Sequence, residues 1–241
     1  MTSADASTSL EISGETARFH VHTRDPAFAS VLPPMGFGSS GADRFTRLLP
    51  RTDDIRLIHD NFARHLEEIL QQCARLRQAP WEVGLREFMR RMESTTLDWW
   101  LVGSAALAVR GVDVAPKDVD LVVHDAAAVG HVLNDLLIYP VTRMEGWAAE
   151  WFGCAFAGCL IEWIAHPHPS TLYGDGLHEI GSESAGRLET LEWHSHLIRL
   201  PPLDWQLAVA EARGLTDRVA SIRRFAQAGK VAGTVTTEGP T

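Results

Sequence analysis

The feature that most limits what this chain can become is residues 98–125, DWWLVGSAALAVRGVDVAPKDVDLVVHD. Trp99, Trp100, Leu101 and Val102 are apolar on both sides and read as a buried strand. Gly103 and Ser104 make a turn, a two-turn helix follows and is closed by Gly111, and a second strand carries Asp118 and Asp120. Strand, glycine turn and helix N-terminus form a seat for phosphate, because free backbone N–H groups and the positive end of the helix dipole point at the same place. Asp118 and Asp120 are two apart in an extended run, so their side chains leave one face, roughly 6.6 Å apart along the strand. Two carboxylates on one face repel each other unless a cation sits between them.

A third acid belongs with them. Glu162 lies in the middle of LIEWI, otherwise apolar on both faces, and a lone carboxylate there needs a partner. The simplest arrangement sets this strand beside the Asp118/Asp120 strand, so that three carboxylates converge on divalent cations. Two metals roughly 3.5–4 Å apart can stabilise the attacking and leaving oxygens of an in-line displacement at phosphorus. Mg²⁺ suits such a site, being a hard ion held by a few carboxylates plus substrate phosphates. A Glu162 carboxylate beyond about 8 Å from both aspartates would leave no shared site.

With Leu101-Val102-Gly103-Ser104, the AALAVRG helix, Asp118-Val119-Asp120 and Glu162 in this order, residues 97–166 resemble the nucleotidyltransferase superfamily. That superfamily includes DNA polymerase beta, the aminoglycoside and lincosamide adenylyltransferases and the nucleotidyltransferase-like antitoxins. The resemblance implies an α/β (α+β) fold, a small mixed β-sheet with helices packed on it. It implies that Asp118 and Asp120 bind two Mg²⁺ ions, that Gly103 and Ser104 hold the terminal phosphates of ATP or another NTP, and that Glu162 completes one metal site. Glu162 would also draw the proton from an acceptor hydroxyl, which attacks the alpha phosphorus and expels pyrophosphate. Lys117 stands where many members have Ser or Thr, and it either contacts phosphate or is solvated. The activity implied is transfer of a nucleoside monophosphate, most simply AMP from ATP, to a hydroxyl of a small molecule or a protein. The alternative is a catalytically silent nucleotide-binding or antitoxin-like partner-binding protein. A protein partner and a homodimer both stay open.

Composition narrows the partners. The net charge of −9 is uneven: residues 1–94 carry 13 acids and 12 bases, residues 95–241 carry 18 acids and 10 bases. The half with the phosphate seat is the acidic one. This argues against nucleic acid as a partner, which needs a Lys/Arg stripe, and is compatible with a metal-bound nucleotide, with a cationic small molecule, and equally with an acidic surface that only keeps the protein soluble. No run of eighteen apolar residues exists, and the N-terminus lacks the basic and apolar regions of a secretory signal, so the expected location is cytoplasmic, with no membrane. Cys73, Cys154 and Cys159 form no disulfide framework or zinc signature and read as buried small hydrophobes.

Four segments are expected. Residues 1–94 form an N-terminal extension: a short hairpin with Phe19 and Val21 inward and His20 and His22 outward, a Pro-, Gly- and Ser-rich linker over 23–50, a long helix capped by Thr52, and a second helix after Pro80. Residues 95–200 form the nucleotidyltransferase catalytic domain, with Asp125 capping a helix through Leu137, two adjacent strands at 151–156 and 159–165, a mobile loop at 167–186 and a strand-like run at 188–200. Residues 201–228 form a short C-terminal helical tail ending near Phe225, and 229–241 a disordered tail. The pairs His20/His22, His166/His168 and His194/His196 lack a third ligand and read as surface or loop histidines. Arg110 and Arg143 are candidate phosphate or acceptor contacts, and Trp147, Trp151 and Trp163 read as core.

Overall fold

The alternation of apolar and polar residues at the N-terminus produces strands β1 (Ala6–Ser13) and β2 (Thr16–Thr23), paired antiparallel about a turn in which Gly14 takes a φ of 56°. The computed structural model describes residues 5–145, 149–168, 180 and 184–232. Phe19 and Val21 face inward and are fully buried, as the pattern predicts. His20 does not stay outside. Residues 23–50 are not a linker but hold helix α1 (Pro26–Val31) and strands β3 (Gly38–Ser39) and β4 (Arg44–Pro50). Strand β4 pairs with β2 on the side opposite β1, giving a sheet of order β1-β2-β4-β3. Its side chains close over His20, whose Nδ1 lies 2.8 Å from Thr46 Oγ1 and whose Nε2 lies 3.2 Å from Glu11.

Helix α2 (Ile55–Cys73) follows from apolar residues at three- and four-residue intervals, and Ile55, Ile58, Phe62, Leu66 and Ile69 are all buried. Thr52 does not cap it with its side chain. Its carbonyl accepts from Ile55 N–H at 3.2 Å, while its hydroxyl is buried without a partner. Helix α3 (Trp81–Met92) begins after Pro80 and buries Leu85, Phe88, Met89 and Met92.

Strands β5 (Trp99–Val102), β6 (Asp118–Val123), β7 (Leu137–Arg143), β8 (Ala149–Phe156) and β9 (Leu160–Pro167) form the central sheet in the order β5-β6-β9-β8-β7. Only β6 and β9 run parallel; the other three pairs are antiparallel. The mixed sheet with helices packed on it is the fold class that the sequence implies. Trp163 fills its centre: the indole Nε1 donates to Ala126 O at 3.1 Å, and a Cβ at Gly153 on the neighbouring strand would sit 2.1 Å from the ring. Glycine is the residue that lets β8 pass over it.

Helix α4 (Gly103–Val109) joins β5 toward β6. Asp125 caps helix α5 (Ala126–Val132), accepting from Ala128 N–H at 2.9 Å, but this helix stops five residues short of Leu137. A 3₁₀ turn at Asn134–Leu136 ends it, and Leu137 and Tyr139 are taken into β7, paired with Ala155 and Cys154. Pro140 is tolerated because β7 is an edge strand. Helix α2 ties the two sheets together: Asn61 donates to the carbonyls of Asp135 and Leu137 at 2.9 and 3.1 Å, and Gln72 to Gly158 O at 2.7 Å.

The run 188–200 is two strands, β10 (Glu189–Trp193) and β11 (His196–Leu200), turning at His194 and Ser195, both with positive φ. Helices α6 (Leu203–Ala212) and α7 (Thr216–Ala232) pack on α4 through Leu107, Val112, Ala210 and Ile222. Helix α7 passes Phe225 and runs to Ala232, so the start of the expected disordered tail is helical. The rest of that tail, most of the expected mobile loop and Trp147 lie outside the described residues. No helix of the described residues is long and apolar enough to cross a membrane.

Candidate active site

Parallel pairing of β6 with β9 sets Asp118 opposite Leu160 and Asp120 opposite Glu162. Equivalent positions on adjacent strands project to one face, so the three acids meet there. One carboxylate oxygen from each of the three lies within 4.8 Å of the other two, well inside the limit for a shared site. Among the described residues this is the one group of three or more metal-ligating side chains; none of the His-x-His pairs makes another.

Burial makes the cluster electrostatically expensive. Asp118 is 5% exposed. Glu162 is pushed up to about 7, first by burial and then by the charge of Asp118, with Lys117 and Arg47 pulling the other way. Asp120 is driven well above the ordinary carboxylate range by burial, then by Asp118 and Glu162, while Lys117 and Arg218 oppose the rise. Three acids placed so that two resist ionisation fit a divalent cation, which would replace the protons they otherwise hold.

The turn before the acids is fitted to them. Gly103 has a φ of 66°, and a Cβ there would lie 2.4 Å from Asp120 Oδ2, so any side chain would displace the carboxylate. Ser104 next to it is buried, at the start of α4. Gln206 of α6 approaches from outside, its Nε2 donating to Gly103 O at 3.5 Å. Lys117 is largely exposed, with Nζ 3.3 Å from Asp118 Oδ2, and Asp118 holds its ammonium above the usual range. Thus Gly103, Ser104, Lys117, Asp118, Asp120 and Glu162 occupy one neighbourhood built from β5, α4, β6 and β9.

Other candidates lie elsewhere. Arg110 is a structural tie: it pairs with Glu189 at 2.6 Å, donates to Gln206 at 3.1 Å and reaches the Pro201 carbonyl. Arg143 pairs with Glu150 at 2.8 Å, and His166 faces Glu150 and His124 rather than the acids. The cysteines are free, and burial holds their thiols protonated, Cys73 at about 11.

Three residues near the site are missed by the sequence reading. Arg47 of β4 and Tyr139 of β7 line, with Glu162, a cavity of about 240 Å³. Arg218 of α7 adds positive potential at Asp120. Residues 44–50 read as part of a linker, and nothing in them points to a strand beside β2 or to Glu162.

No protein-family profile and no curated protein sequence matches the chain. Three solved structures resemble it. A candidate nucleotidyltransferase from Thermotoga maritima has a TM-score of 0.44 and 16% identity over 60% of this chain and 91% of its own. The antibiotic-resistance factor ANT(2'')-Ia has 0.36 and 14% over 63% of this chain and 94% of its own. An antigenic nucleotidyltransferase-like protein from Paracoccidioides brasiliensis has 0.37 and 14% over 58% and 73%. What the site can do follows from its own geometry.

Proposed function

We propose that this protein is a Mg²⁺-dependent nucleotidyltransferase that moves a nucleoside monophosphate, most simply AMP from ATP, onto a hydroxyl. The observation that carries the reading is the meeting of Asp118, Asp120 and Glu162 within 4.8 Å on two adjacent strands, two of them resisting ionisation without a cation. Asp118 and Asp120 would hold two Mg²⁺ ions, with Glu162 completing one site. Bound there, the ions would supply charge stabilisation at the phosphoryl oxygens.

The remaining work falls to the chain's own groups. Gly103 brings the start of α4 close to Asp120, so that backbone N–H groups there and the Ser104 hydroxyl can donate to the terminal phosphates. Lys117 reaches the same side and adds a mobile positive charge. Glu162, on the strand beside Asp120, is placed to accept the proton of the acceptor hydroxyl. The fixed positions of nucleotide and acceptor on neighbouring strands supply the alignment for in-line attack.

The test is incubation with alpha-labelled NTPs, Mg²⁺ and a cell extract, followed by separation of labelled products. A labelled acceptor with the wild type and none with Asp118→Asn is expected. Equal labelling by Asp118→Asn that is folded by circular dichroism would remove the proposal.

A further inference from the structure

The cavity beside Glu162 identifies the kind of acceptor. Resting on the transfer reading above, we infer that the acceptor is a compact hydroxylated molecule with an apolar body and a carboxylate, taken up between the central sheet and the N-terminal extension and recognised by Arg47.

The cavity of about 240 Å³ is small beside the roughly 300–1,000 Å³ usual for ligand sites, which suits one ring or a short chain. Glu162 forms one part of its wall, and Met35, Met144, Phe152 and Tyr139 supply mostly apolar surface. Two polar groups break that surface. The Arg47 guanidinium lies 3.8 Å from the centre of the Tyr139 ring and is braced by a 2.6 Å hydrogen bond from Nη1 to Met35 O. Arg47 makes no ion pair with a carboxylate among the described residues. The Tyr139 hydroxyl is buried and has no hydrogen-bond partner.

A planar cation and a spare hydroxyl in an apolar wall favour an anionic group with several acceptor oxygens. They disfavour a polycation, since among the described residues the only acid in the wall is Glu162, which the proposed reaction uses. Strand order separates the two substrates. The phosphate seat is on β5 and β6, the cavity on β7, β8 and β9, and Glu162 lies between them, where an acceptor hydroxyl must give up its proton.

Calorimetric titration of the full chain with Mg²⁺ and a non-hydrolysable ATP analogue present, using three probes, tests the inference. These are 4-hydroxyphenylacetate, its neutral counterpart 4-hydroxyphenylethanol, and a polycationic aminoglycoside. The anionic probe should bind about tenfold tighter than the neutral one, as expected for one hydrogen-bonded charge. Arg47→Gln should erase that preference without weakening the analogue. Arg47→Lys should keep part of it, and Tyr139→Phe, which leaves the apolar wall whole, should lower anionic binding alone by roughly two- to fivefold. Equal binding of the two phenols, no binding of either, tighter binding of the polycation, or loss of analogue binding in Arg47→Gln overturns the inference. Failure of the wild type to bind the analogue with Mg²⁺ would instead strike the transfer reading, so the two failures are distinct.

Discussion

On one side of Glu162 the site is made from nearly consecutive residues: β5, the positive-φ Gly103, α4 and the acids of β6 follow one another within a single stretch. On the other side, Met35, Arg47, Tyr139 and Phe152 arrive from a turn and three strands scattered between positions 35 and 152, brought together by packing of the N-terminal sheet and α2 onto β7. The first side has its geometry written into local backbone, because a turn of fixed shape aims α4 at Asp120. The second depends on the whole fold being assembled. On the proposed reading, the chemistry common to many acceptors belongs to the local half and discrimination between acceptors to the assembled half. This division makes each half separately breakable.

The largest effect should come from the local half. Asp120→Asn leaves β6 pairing intact but removes a metal-ligating oxygen and the charge, so transfer should fall on the order of 10³-fold or more. The same change relieves repulsion among closely packed acids, so the metal-free variant should melt no lower than the wild type at pH 8. A variant that is both inactive and strongly destabilised would show Asp120 to be a structural residue. Gly103→Ala comes next. A methyl at this position meets Asp120 Oδ2 at 2.4 Å and must accept a φ of 66°. Displacement of the carboxylate should lower turnover on the order of 10²-fold, with a stability loss of about 1–2 kcal/mol for the left-handed backbone. Turnover unchanged in a folded Gly103→Ala would uncouple the turn from the metal site.

The same contrast decides what could be read from the sequence. Gly103, Ser104, Asp118 and Asp120 are legible because the strand, turn and two-residue spacing that place them are local. Glu162 is legible as an anomaly, a charge amid LIEWI, and β6–β9 pairing gives it its partner. Arg47 gives no such sign. It lies in a stretch rich in Pro, Gly and Ser that reads as linker, and its place beside Glu162 follows from β4 pairing with β2 and the resulting sheet meeting β7. Leu137 likewise continues a helical pattern, and tertiary pairing with β8 instead draws it, with Tyr139 after it, into an edge strand.

A smaller effect links the two halves through pH. Glu162 has an ordinary value of 4.5 and is pushed up to about 7 in the fold. Between these values the folded chain holds more protons than the unfolded one, so its contribution to stability falls as pH rises from 4.5 through 7. The loss should reach about 2 kcal/mol for this partly exposed group. Mg²⁺ should therefore raise the melting temperature more at pH 8 than at pH 5, by roughly 4–8 °C. Glu162→Gln should flatten the metal-free pH dependence and abolish that difference. An equal Mg²⁺ effect at both pH values would deny the ion a place at Glu162.

Lys117 gives the smallest effect and the finest separation. Its ammonium is exposed and 3.3 Å from Asp118 Oδ2, an arrangement worth about 0–1 kcal/mol by itself. In the metal-free protein it neutralises part of the acidic cluster, and so competes with Mg²⁺ for the same charge. On the proposed reading, a bound nucleotide would draw it toward phosphate. Lys117→Ala should thus tighten Mg²⁺ binding in the absence of nucleotide and weaken Mg-ATP binding by roughly two- to fivefold, with a shallower salt dependence. Tighter Mg²⁺ binding with unchanged nucleotide affinity would reduce Lys117 to a counter-ion of Asp118 and leave phosphate contact to the backbone at Gly103 and Ser104. Loss of both affinities would show that the lysine positions the carboxylate itself.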